Sequence, residues 1–350
     1  MRYGFKFTLK ILLDRLELLA RAVDHKRGFI MTIQMPFEPK GVIPACLLPF
    51  KSDMSIDEKA FRSHLCDLAA VDGISAITIN AHSMEVHALS VKEQAQTLEI
   101  TMDEIGEKLP LVHGVYADGS ANAAVIAKQA EAGGARCLLV FPPNTLAMGG
   151  QMRPEMAIRH FETIADATDL PIILFQYPMG PGLGYPIQTL LEICERVPQV
   201  RAIKDWCNDA ALHERHIREL KSLSSPVNIL STHSAWLLSS LVQGCDGLLS
   251  GAGSVIANLQ VALFQAFKKG DLEEARRLNN RIYPTVRAFY DAPFLDMHNR
   301  MKEALHYLGR LPEAHVRPPL MKLTNDEIQK IKRCMDDAGL SHNTVYQKVA

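Results

Sequence analysis

From residue 41 onward short apolar runs alternate eight times with longer helix-period segments, and this alternation constrains the fold more than any other feature. Short apolar runs stand at "VIPACLL" (42–48), "ISAITIN" (74–80), "LPLVHGV" (109–115), "RCLLVF" (136–141), "PIILFQY" (171–177), "VRAIK" (200–204), "VNILS" (227–231) and "DGLLSG" (246–251). Each is followed by a longer stretch with apolar residues at helical spacing. Strands separated by helices must run parallel through right-handed crossovers, and eight units of roughly 30 residues match a closed (β/α)8 TIM barrel better than an open sheet. No GxGxxG follows the first run, which weakens a dinucleotide-binding alternative.

Capping boxes mark several helix starts: Ser55 with Glu58, Ser90 with Glu93, and Thr324 with Glu327. After the eighth run the pattern is helical only, through "LQVALFQAFKKG", "DLEEARRLNNRIYPTVRAFY", "FLDMHNRMKEALHYLG" and "IQKIKRCMDDAG". The expected organisation is an N-terminal extension over 1–40, a barrel core over 41–255, and the last barrel helix with a C-terminal helical extension over 256–345. The first forty residues carry charges inside their apolar stretch. They lack a clean secretory h-region and read as a weak surface or targeting helix, or as a segment upstream of a start at Met31 or Met35.

Composition narrows the partner. With 47% apolar and 22% charged residues the chain is globular, and a formal charge of -1 favours neither nucleic acid nor an anionic membrane. A small molecule is the expected ligand. Seven scattered cysteines without a CxxC pair argue against a disulfide framework or structural zinc and fit a reducing cytoplasm. No apolar run is long enough to span a bilayer.

In a barrel of this kind the chemistry sits where the strands end. The sixth strand ends on Lys204 in "VRAIKDW". A buried ammonium is costly, so Lys204 either snorkels outward, pairs with Asp205, or is held neutral to act as a nucleophile. Around it the other ends offer Asn80-Ala-His-Ser-Met-Glu85, Pro142-Pro-Asn144, Tyr177-Pro178, Thr232-His-Ser234 and Ser250-Gly-Ala-Gly253.

Through "LLPF" (47–50), "AIKD" (202–205), "GLLS" (247–250) and the C-terminal helices, the chain over about 41–340 resembles the dihydrodipicolinate synthase and N-acetylneuraminate lyase family of Schiff-base barrels. The resemblance implies that Lys204 forms an imine with pyruvate or another 2-oxo acid, with no metal and no other cofactor, in a homotetramer or homodimer. The iminium would then draw electrons from C3, for proton loss or for C3–C4 cleavage. By the same resemblance Ser83 holds the substrate carboxylate, and Phe175, Leu249 and Ser250 complete the substrate-binding set.

The departures are informative. The family's Gly-Thr-Thr-Gly-Glu loop reads Ala81-His82-Ser83-Met84-Glu85 here, its strand-five relay tyrosine falls on Phe175, and its second relay tyrosine falls on Asn144. Protons must still move, and Tyr177 and His82 are the rival candidates: Tyr177 shares a strand face with Phe175, and histidine ordinarily titrates near neutrality. The synthase branch's carboxylate-binding arginine falls on Gly180. Glycine supplies no clamp, so dihydrodipicolinate synthesis itself is not expected. Two other readings stand beside this one. A metal-dependent lyase or hydrolase would draw ligands from His82, His113 and His233, and a catalytically weakened 2-oxo acid binding protein would explain the lost relay.

Overall fold

The computed structural model describes residues 37–340. The N-terminal helix and targeting readings, and the end of the C-terminal range, lie outside them. Phe37 packs against the inner barrel layer.

The strands are β1 (Gly41–Pro44), β2 (Ile77–Ile79), β3 (Leu111–Val115), β4 (Cys137–Val140), β5 (Ile172–Gln176), β6 (Val200–Asp205), β7 (Asn228–Ser231) and β8 (Gly247–Ser250). Each neighbouring pair of these strands is parallel, in the order β1-β8-β7-β6-β5-β4-β3-β2. Between the two ends of that sheet Ser75 N donates to Val42 O at 2.9 Å and Cys46 N to Thr78 O at 2.8 Å. These bonds nearly close the ring, and the (β/α)8 expectation is borne out. The first strand stops at Pro44 rather than Leu48, although Ala45 N still donates to Ser250 O at 3.0 Å.

Helices α1 (Glu58–Ala69), α2 (Val91–Ile105), α3 (Ser120–Ala132), α4 (Pro154–Ala165), α5 (Ile187–Arg196), α6 (Ala210–Lys221), α7 (Leu237–Gln243) and α8 (Gly253–Lys268) follow the strands in turn. Beyond them come α9 (Leu272–Phe289), α10 (Met297–Tyr307) and α11 (Asn325–Asp337). The boxes at Ser90 and Thr324 form as expected. The one at Ser55 does not. Asp57 caps α1 by accepting from Ala60 N, because Ser55 is engaged by Asp53 in the preceding turn.

Strand parity sorts the side chains. Ile43, Val112, Leu139, Ile173, Ala202, Leu230 and Leu249 fill the barrel, whereas Val42, Ile77, Leu138, Ile172, Leu174, Ile203 and Leu248 face the helices. Ala202 is inward and Ile203 outward, so Lys204 faces in and Asp205 out. That parity places the lysine at the C-terminal mouth of a filled barrel.

Candidate active site

Lys204 is 6% exposed, with Nζ 3.9 Å from the centroid of the Phe175 ring, its partner across the β5–β6 register. Among the described residues no carboxylate pairs with it. Asp205 lies on the opposite face of the strand, where its carboxylate accepts from His213 Nδ1 at 2.7 Å and His216 Nδ1 at 2.8 Å. Pairing with Asp205 therefore does not explain the buried lysine. Burial pushes the Lys204 ammonium down to about 7, leaving much of it as free amine at neutral pH.

The loop after β2 delivers His82 and Ser83. Asn80 and Glu85 both take the left-handed backbone conformation, with φ of 50° and 56°, and bend the loop over the mouth. Glu85 then anchors it: its carboxylate meets the buried Lys302 ammonium of α10 and accepts from Arg317 N at 2.8 Å. Ser83 is 1% exposed, and its hydroxyl has no hydrogen-bond partner. An unpaired buried hydroxyl costs about 1–3 kcal/mol unless a ligand satisfies it.

Tyr177 shares the inward face with Phe175, their ring centroids 4.6 Å apart. Its hydroxyl and His82 Nε2 share a hydrogen bond at 2.8 Å. The two residues set against each other in the sequence are thus joined. Burial, with the Lys204 charge next, pushes His82 down to about 3, so the neutral-pH titration expected of it does not hold. Burial likewise holds the Tyr177 phenol well above its ordinary range, with Tyr116 and Tyr185 adding to it. At pH 7 the pair is a neutral hydrogen-bonded dyad.

Around the lysine is a cleft of about 420 Å³ of empty space, mouth included, of which about 30 Å³ admits the centre of a water-sized body. That is room for two or three waters, the bulk of a very small acid. His82, Phe175 and Trp206 form one wall, with further rings behind them: the His82 ring lies 4.8 Å from Phe141, and Trp206 lies 5.6 Å from Tyr177 and 6.2 Å from Phe294. Lys204 is the single lysine or arginine lining it among the described residues. Gly180, where the synthase branch has its arginine, has open space where a side chain would begin.

Thr232 and Gly251, already marked as strand-end residues, line the cleft from the ends of β7 and β8, whereas Tyr290, Met297 and His298 escaped the sequence: they come from the C-terminal helices, which sequence periodicity places only as an appendage. Tyr116 also went unnoticed. It lies 6.0 Å from the His82 ring and accepts from Asn144 Nδ2 at 2.9 Å, so the Asn144 position still reaches a phenol. Leu249 and Ser250, expected at the substrate, do not line the cleft. Parity turns Leu249 into the filled barrel, and the Ser250 hydroxyl accepts from Gln260 Nε2 at 2.9 Å. His82, His113 and His233 form no shared donor cluster among the described residues: His113 Nε2 is bound to Asn80, and His233 packs on Trp236.

A parallel barrel with an inward, unpaired lysine at the end of its sixth strand defines the class I aldolase type of lyase, and comparison with known proteins assigns the chain to it. The chain belongs to the Dihydrodipicolinate synthetase family, whose model matches residues 38–338. It is similar to the 4-hydroxy-tetrahydrodipicolinate synthase of Methanopyrus kandleri, 28% identical over 309 residues, covering 87% of this chain and 98% of that one. The counterpart from Thermodesulfovibrio yellowstonii is 28% identical over 303 residues, covering 86% and 99%. Among solved structures, a prophage protein of the dihydrodipicolinic acid synthase family from E. coli K12, in complex with pyruvate, superposes with a TM-score of 0.79 at 22% identity, covering 86% of this chain and 99% of that one. A monomeric dihydrodipicolinate synthase variant gives 0.79 at 23% identity, covering 88% and 99%.

Proposed function

We propose that this lyase forms its imine through Lys204 with pyruvate or a closely related 2-oxo acid and does not carry out dihydrodipicolinate synthesis. The observation that carries the reading is a buried lysine over the Phe175 ring with no carboxylate partner, facing a cleft of very small-acid size. The amine attacks C2 of the 2-oxo acid, the carbinolamine loses water, and the iminium acidifies C3. Ser83 offers its free hydroxyl to the carboxylate. The Tyr177–His82 dyad handles the protons: Tyr177 gives its proton to the departing hydroxyl, which leaves as water, His82 holds the resulting phenolate through the shared hydrogen bond, and that phenolate then takes up the C3 proton.

The acceptor, or the fragment released, differs from that of the synthases. No guanidinium stands at Gly180, and among the described residues no other lysine or arginine lines the cleft, so a second carboxylate finds no counter-charge from them. No cofactor beyond the lysine is invoked. No helix among the described residues is long and apolar enough to cross a membrane, and the seven cysteines are free thiols, five of them buried, which supports a reducing cytoplasm. A homodimer or homotetramer is the proposed assembly, by family likeness.

Borohydride added to enzyme and pyruvate should leave a covalent adduct that peptide mass spectrometry maps to Lys204, and Lys204→Ala should abolish it. Absence of an adduct with a panel of 2-oxo acids, at intact fold, would overturn the reading in favour of a barrel that binds without imine chemistry.

A further inference from the structure

Behind β6, on the face away from Lys204, a second cluster of reactive side chains plays no part in the chemistry above. Asp205, Cys207, His213 and His233 each offer one donor atom, and the four atoms lie within 4.8 Å of one another. All four residues are buried, with exposures of 0%, 5%, 0% and 4%. They come from the end of β6, the loop after it, the first turn of α6 and the loop after β7. The chain brings them within 29 residues, without the close CxxC spacing that marks most structural zinc sites.

We propose that these four residues bind one divalent transition metal, zinc by preference, as a structural site. Four-coordinate zinc holds nitrogen and oxygen at about 2.0–2.1 Å and sulfur at about 2.3 Å, which sets neighbouring donors roughly 3.3–3.6 Å apart. Asp205 Oδ2 to His213 Nδ1 is 2.7 Å and Cys207 Sγ to His233 Nε2 is 3.9 Å, so the empty cluster brackets that spacing. A thiolate, two imidazoles and a carboxylate select zinc or cobalt over magnesium or calcium. The ion's two positive charges balance one carboxylate and one thiolate, the thiol proton being released to solvent as the metal–sulfur bond forms. Charge neutrality suits a site without water access.

The His213 and His216 rings are fully buried. His216 donates through Nδ1 to Asp205, the arrangement by which a supporting histidine orients a ligating carboxylate. The ion would pin the β6 end to α6 and β7, fixing Trp206, which lies between two of the ligands in sequence and lines the substrate cleft.

The test uses the untagged full-length protein purified from zinc-supplemented cells and dialysed against metal-free buffer. Mass spectrometry of the metal should find about one zinc per chain. The cobalt-exchanged protein should show tetrahedral d–d bands and a thiolate-to-cobalt charge-transfer band. Cys207→Ser should remove the charge-transfer band, and Cys334→Ser should retain it. His216→Gln should weaken zinc binding roughly 10–100-fold, as a supporting ligand does. Should Cys207→Ser not fold, His233→Gln supplies the same reading by weakening the d–d bands. Zinc below about a tenth of an equivalent after saturation, or a cobalt spectrum indifferent to Cys207 and His233, would overturn the site and leave a buried Asp–His hydrogen-bond cluster.

Discussion

The hydroxyl of Tyr177 and Nε2 of His82 share a 2.8 Å hydrogen bond across the mouth of the barrel, joining the end of strand β5 to the loop after β2. The bond changes what mutagenesis should show. Two independent proton carriers would have additive effects; two halves of one relay do not. Tyr177→Phe and His82→Ala should each slow turnover roughly 10²–10⁴-fold, and the double variant should be scarcely slower than the worse single one. Because burial pushes His82 down to about 3, His82→Ala should also leave the pH–rate profile near neutrality unchanged in shape. Additive losses, or a neutral limb that vanishes with His82, would show that the two act apart.

Gly180 stands in open space at the position of the synthase branch's arginine. Pyruvate with aspartate semialdehyde should give negligible turnover in the native chain. Gly180→Arg should raise it roughly tenfold or more, the scale of one charge-assisted hydrogen bond. Efficient native synthase kinetics would sink this expectation.

The ion pair of Glu85 and Lys302 is wholly buried, at 0% exposure for both residues. Removing one partner strands the other charge, so Lys302→Met should cost about 3–5 kcal/mol in urea unfolding. Adding Glu85→Gln should restore part of that loss. The single variant should also lose activity at denaturant concentrations where it stays folded, since Glu85 holds the loop that carries His82 and Ser83. A loss of less than about 1 kcal/mol would mean water reaches the pair.

His64 is buried with neither ring nitrogen paired, and burial, with Arg310 adding to it, pushes it down to about 3. In the unfolded chain it takes up a proton near its ordinary pKa of about 6.5, so the unfolded state binds more protons below that pH. Stability is therefore full above 6.5 and falls as the solution is acidified towards 3. His64→Leu should flatten that fall by up to about 2 kcal/mol at pH 5, read by thermal or urea unfolding across pH. A variant with the same acid slope as the native protein would refute the assignment.

The alternation of short apolar runs with helix-period stretches predicted eight strands and their helices, because a parallel strand is buried on both faces while a barrel helix buries only one. Local strand parity set Lys204 inward behind Ala202, and chain order placed it at the strand end where barrels do chemistry. Ser83, His82 and Tyr177 were also legible as strand-end residues. Their relationship was not: the Tyr177–His82 bond spans 95 positions, and burial decides the charge of both. Leu249 and Ser250 looked like site residues by motif, but one fills the barrel and the other binds Gln260. Tyr290, Met297 and His298 looked like appendage and became a wall of the cleft. Local periodicity and chain order thus determined the barrel and its lysine. Desolvation and contacts between distant segments, which exist only once the ring has closed, decided which side chains meet that lysine and in which protonation state.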